Sequence, residues 1–216
     1  MKFTIYSVLL VLFCISCKGK NENPFGIDEN RNKETRIADF VDNKIWNQWT
    51  SYYKQKDSNF SINKFKFLKK DTLIVSKGTI FGVFDKEFDS IYLPFLRFNP
   101  AEKKYIDLDS YQWTLDGNNE IVMDVDQEVA LVNLEDKTIH RIAFRGALQW
   151  VEDAFWENDN CVVLLENSNE NRLRFSEINF ITKTINVYEH DATLEKKPDY
   201  FMHKLYLENL NVKQSK

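Results

Sequence analysis

The stretch QWTLDGNNEIVMDVDQEVALVNLEDKTIHRIAF, residues 112–144, decides how the chain is read. Short apolar runs (IVM, VALV, IHRIAF) alternate with Asp, Asn, Gly, Glu and Lys. Val- and Ile-rich runs of this length, bounded by turn residues, are strand signals rather than helix signals. Asp116-Gly117 supplies one turn, and the polar segment from Asn133 to Lys137 supplies another.

The same grammar extends outward. Gln112-Trp113 recurs as Gln149-Trp150. Three segments, 98–106, 132–140 and 178–186, share one hairpin pattern, with Asn at 99, 133 and 179 and Lys at 103, 137 and 183. From residue 61 onward, KFKFLKK, TLIVS, IFGVFD, SIYLPF, YIDLD, EIVMDV, VALVNL, IHRIAF, CVVLLE, LRFSEINF and TINVYEH each read as a short strand. The expected class is mainly β.

On these residues the chain resembles β-propeller blades. Residues 112–144 look like one blade, the segment from Gln149 to His190 like the next, and 61–109 like a divergent first. The resemblance implies a propeller-like array or a meander of antiparallel hairpins, with a β-sandwich as the alternative. Three units would form an open curved sheet capped by the N-terminal helix, or a ring completed by self-association.

Upstream, residues 34–55 carry Ile37, Val41, Ile45, Trp49 and Tyr53 at four-residue spacing, with Phe40 beside them. That period predicts one amphipathic helix packed on the β body. The last segment, 196–216, reads as a C-terminal tail containing a final helix or an edge-covering strand, so the β-rich domain with its helix is expected over 35–195.

The N-terminus speaks to location. Met1-Lys2 is followed by the mostly apolar FTIYSVLLVLFCIS, then by the polar KGKNENPFG. The apolar run suits a secretory signal and falls short of the roughly 20 residues that span a bilayer. Cys14-Ile15-Ser16-Cys17 resembles the lipobox of bacterial lipoproteins, with Cys14 standing where Leu is usual. The Asn-, Lys-, Phe- and Ile-rich composition would suit a member of the Bacteroidota. The resemblance implies a signal peptide over 1–16, cleavage before Cys17, acylation of Cys17, and a flexible tether to residue 34. It places the protein in the cell envelope, anchored by lipid to the outer membrane, facing the periplasm or the surface. Acyl chains anchor because each buried CH₂ contributes about 0.8 kcal/mol. Cys161 would then be the remaining thiol, read as buried and inert.

Chemistry is sparsely signalled. Net charge is −4, and a nucleic-acid partner is not expected without clustered Lys and Arg. His140, His190 and His203 are scattered, and no nucleophile elbow or phosphate-binding loop occurs. No catalytic residue, metal ligand or cofactor is assigned. Asp124, Asp126 and Glu128 alternate as a strand face that could attract calcium, though strand spacing sets them too far apart for one ion and a solvated strand or turn is the expectation. Trp113, Trp150, Phe155 and Trp156 are the candidate binding residues, an aromatic platform for a sugar or a partner. The expected function is a non-catalytic binding module with a protein partner, of immunity or envelope-complex type. An extracytoplasmic enzyme or glycan-binding accessory is the alternative.

Overall fold

The computed structural model describes residues 33–195 and 199–210, all within one compact unit that begins at Asn32. The expected signal peptide, Cys17 and nearly all of the tether lie outside the described residues. No helix among the described residues is long and apolar enough to cross a membrane.

The fold is mainly β, and the described residues form two five-stranded antiparallel sheets, one separate hairpin and three α-helices. The first sheet is a meander of β9 (Gln149–Asn158), β10 (Cys161–Ser168), β11 (Arg174–Asn179) and β12 (Thr184–His190). The upstream strand β1 (Phe65–Thr72) pairs with β12 as its fifth member. The second sheet repeats this plan. β3 (Arg97–Phe98), β4 (Lys104–Asp107), β7 (Gln127–Asn133) and β8 (Thr138–Arg145) run as a meander, and the upstream β2 (Ser76–Lys77) pairs with β8. The hairpin of β5 (Trp113–Leu115) and β6 (Ile121–Met123) is inserted between β4 and β7.

The three hairpins sharing Asn and Lys are β3–β4, β7–β8 and β11–β12. In each, the Asn carboxamide oxygen accepts backbone N–H groups of the turn. Asn99 takes those of Lys103 and Lys104, Asn133 that of Glu135, and Asn179 those of Ile181 and Thr182. These local bonds compete with extended structure and so mark the reversal. Lys137 and Lys183 sit at positive φ, whereas Glu102 rather than Lys103 does so in the first hairpin.

Four layers follow from alternation. One face of the first sheet (Phe155, Val163, Leu165, Phe175, Tyr188) packs on α1 (Lys33–Ala38) through Ile37, on the turn after it through Phe40, and on α2 (Lys44–Lys56) through Trp46, Trp49 and Tyr53. Its other face (Val151, Ala154, Val162, Leu164) meets Ile106, Val129 and Ile142 of the second sheet. The far face of that sheet is covered by the segment 80–96, through Val83, Phe84 and Leu96.

The structure corrects several expectations. The sheets do not close into a ring among the described residues. The segment read as one blade over 112–144 is divided, because β5–β6 form their own hairpin and only β7 and β8 join a larger sheet. The single helix over 34–55 is two, since Asn43 accepts from the Ile45 and Trp46 N–H groups and starts α2 afresh. That break turns Val41 outward, 61% exposed. IFGVFD is a turn-rich loop, and SIYLPF is a 3₁₀ segment started by Asp89 and holding Pro94. In β1 only Phe65 is buried. Leu68 bulges out of register with β12, and the outer edge is a lysine-bearing edge strand. The tail contains a helix, α3 (Tyr200–Leu207), capped by Asp199 accepting from the Met202 N–H.

Candidate functional site

A cleft of about 620 Å³ opens where the β5–β6 hairpin, the 146–150 segment and the start of α3 converge. Each wall has a separate physical origin. The floor is made by the edge strand β9. Glu166 opposes Val151 and Leu165 opposes Asp153, so Glu152 is the extra residue of a β-bulge. A bulge re-aims a side chain against the strand's alternation, and here it sends Glu152 toward α2. Trp49 and Tyr53, one helical turn apart, meet it there. The Trp49 indole N–H donates at 2.7 Å, and the Tyr53 hydroxyl lies 2.7 Å from both carboxylate oxygens. Asn167 of β10 and Trp150 add longer bonds at 3.3 Å.

Gln127 of β7 ties the floor to the second sheet. Its amide donates to the Leu108 and Val151 carbonyls and to Gln112, and its carbonyl accepts from the Val151 N–H. The α3 wall is pinned by a buried ion pair, Lys204 Nζ lying 2.8 and 2.9 Å from the Asp109 oxygens. Asp109 also accepts from the Trp113 indole at 3.1 Å. Tyr200 donates to Asp153, which is itself gripped by Arg97 from β3. Phe201 and Leu205 pack with Trp113, Tyr92 and Phe95, so helix and hairpin share one small core.

The rim is apolar. Met123, Val125, Phe201 and Met202 line it, and Val125 is 71% exposed. Leu148, between the lining residues Ala147 and Gln149, is exposed to the same degree. The polar lining is acidic or neutral. Asp124, Glu152 and Asp199 contribute carboxylates, and among the described residues no Lys, Arg or His lines the cleft.

Among the described residues Glu152 shares with Asp57 and Asp107 a buried carboxylate bonded by neutral donors only, and of the three it alone lines the cleft. Asp109, Glu128, Asp153, Glu166 and Glu177 each have a Lys or Arg partner from another element. Glu152 is 3% exposed, and among the described residues it has four neutral donors and no cation. Burial pushes its carboxyl above the usual carboxylate range, against the pull of its bonds from Tyr53, Trp49, Asn167 and Trp150. Tyr53 rises well above its ordinary value, by burial and by the adjacent carboxylate. No Ser, Thr or Cys lies among the described lining residues. What the arrangement offers is a rigid acceptor surface beneath an apolar rim.

The candidate aromatics are dispersed. Trp150 lines the cleft. Trp113 is buried behind the hairpin wall and does not line it. Phe155 and Trp156 border a different, shallower hollow with Ile45, Leu96 and Pro100. The alternating acids also separate. Asp124 and Asp126 stand in the exposed bend between β6 and β7, whereas Glu128 is buried and bonded to Arg141 and Thr79. Among the described residues no group of three His, Cys, Asp or Glu is placed to hold a metal ion. Cys161 is buried, its thiol 3.0 Å from Glu157, and burial pushes its pKa up.

Glu152, Asp199 and Tyr200 were not singled out by sequence, and Tyr53 was read only as part of the helical stripe packed on the β body. The available signal was Glu152-Asp153, two adjacent acids inside the apolar run WVEDAFW. The chain matches no family model, no curated protein and no solved structure.

Proposed function

We propose that this is a lipid-anchored protein of the cell envelope whose folded part is a binding module, with the cleft beside Trp150 as the place where it holds a protein partner. One observation carries the binding reading: a cleft of about 620 Å³ whose lining includes the exposed Met123 and Val125. Pockets of this size hold ligands, and exposed apolar side chains grouped at one mouth suit an interface more than a small solute. The anchor rests on Cys14-Ile15-Ser16-Cys17 and the apolar run before it.

A photo-crosslinking amino acid replacing Leu148 in the full-length chain, in its own cells, tests the site. It should give one dominant protein adduct that Val125→Asp abolishes. The same probe at Ile74, exposed outside the cleft, should not give that adduct. Equal adducts from both positions would refute the assignment. For the anchor, Cys17→Ala should abolish acyl labelling and release the protein from the membrane fraction.

The shared strand order of the two large sheets supports reading them as two blade-like units of a propeller-like array. Strands of the two sheets aligned to within about 30° of each other, as in a sandwich, would replace that reading. Glu152 beside Trp150 is the feature that favours an enzyme or glycan-binding accessory. Turnover of a glycan that Glu152→Gln abolishes would establish it.

A further inference from the structure

Resting on the cleft as a partner-binding site, the charge distribution points to what enters it. We infer that the partner inserts a cationic side chain, Lys or Arg, into the cleft, its aliphatic stem against the apolar rim and its charge toward the carboxylates.

The argument is one of complementarity. Three carboxylates, Asp124, Glu152 and Asp199, stand on different walls of one concavity, and among the described lining residues no basic group offsets them. Other buried acids are paired with the chain's own cations, as at Asp109–Lys204 and Asp153–Arg97, or, at Asp57 and Asp107, are held by nearby N–H and hydroxyl groups away from the cleft. At Glu152 the chain supplies only neutral donors, Trp49, Tyr53, Asn167 and Trp150. Those bonds hold the carboxylate in place, and among the described residues no cation compensates its charge. An acidic or phosphorylated ligand would be repelled by that field.

The apolar parts fit the same occupant. Lys and Arg carry three- or four-carbon stems that cover apolar surface while the charged end seeks an acceptor. Met123, Val125 and Met202 offer such a surface, and the Trp150 and Tyr200 rings line the same cleft, where an aromatic face attracts a cation. A neutral sugar would use the aromatics and carboxamides but would not require three carboxylates without a counter-charge.

The test follows the Trp150 indole N–H by NMR in the full mature chain. Four probes are titrated: end-capped hexapeptides alternating Leu with Lys, with Glu or with Ser, and a neutral glucose hexasaccharide. Asp124→Asn and Asp199→Asn keep the acceptor oxygens that serve the Asp126 and Met202 N–H groups, so the double variant removes charge with little change of shape. The Lys peptide should shift the indole, the Glu peptide should not, and the double variant should weaken the Lys peptide about tenfold. Equal shifts from the Ser peptide or the hexasaccharide, unchanged in the double variant, would overturn the cationic inference while leaving the cleft a binding site. No shift of Trp150 or its cleft neighbours with any probe would overturn both.

Discussion

Tyr53 on α2 and Glu152 on β9, 99 residues apart in sequence, meet with the tyrosine hydroxyl 2.7 Å from both carboxylate oxygens. This contact joins the helical layer to the edge of the first sheet and sets the floor of the cleft. It exists because a bulge turns Glu152 out of the strand's alternation toward the helix.

Stability should carry the pH signature of Glu152. Burial holds its folded-state value above the ordinary 4.5, so on rising pH the unfolded chain releases this proton first. Its contribution is fully present below the unfolded value and is lost as pH rises through the raised one. Glu152→Gln has no such proton. Wild-type stability minus variant stability, from urea melts at several pH values, should therefore fall from acid toward neutral. A difference that stays flat or grows contradicts the assignment.

Trp49→Phe keeps most of the ring packing and removes the indole donor to Glu152. Leaving a buried acceptor one bond short should cost about 1–3 kcal/mol. The same substitution in a Glu152→Leu background should cost less, and a double-mutant cycle measures the difference.

Lys204→Met strips the cation from Asp109, both side chains being buried. An uncompensated buried carboxylate should cost roughly 3–5 kcal/mol, whereas removing both charges in Lys204→Met/Asp109→Leu should recover much of it. Because α3 forms one wall of the cleft, the single variant should also broaden the NMR signals of Tyr200 and Phe201.

The left-handed turn at Lys137, φ 54°, gives a backbone prediction. Lys137→Val should destabilise by about 1–2 kcal/mol, since a side chain branched at Cβ crowds the following carbonyl there. Lys137→Gly should be neutral or slightly stabilising. Equal losses for both would show that the lysine side chain, not the turn geometry, is what matters.

Cys161 is buried with its thiol ionisation pushed up by desolvation and by Glu157. With Cys14 and Cys17 replaced by Ser, alkylation by iodoacetamide at pH 8 should be very slow when the chain is folded and fast in denaturant.

The mainly β class, the strands from β7 to β12 apart from β9, and the three Asn-led hairpins were legible because their signals are local. An apolar run followed by an Asx turn reads the same in any surroundings. β9 was not among the strands read from sequence, because the bulge at Glu152 breaks its period. SIYLPF was read as a strand because apolar content alone does not distinguish a strand from a short 3₁₀ segment. Of the candidate site only Trp150 was legible.

What the sequence by itself determined was the alternation of strand and turn, the aromatic helical stripe, and the apolar leader ending at Cys17 that motivates the anchor. The tertiary structure decided which sheet each strand joined, sending β1 to β12 and β2 to β8, and dividing the expected blade at the β5–β6 hairpin. It also decided which acids were neutralised. Arg97 reaches Asp153 across two sheets and Lys204 reaches Asp109 from the far end of the chain, while Glu152 receives neutral donors alone. The reason is one of range. Period and turn chemistry act over a few residues, whereas strand partnering and the compensation of buried charge depend on which distant surfaces are desolvated together.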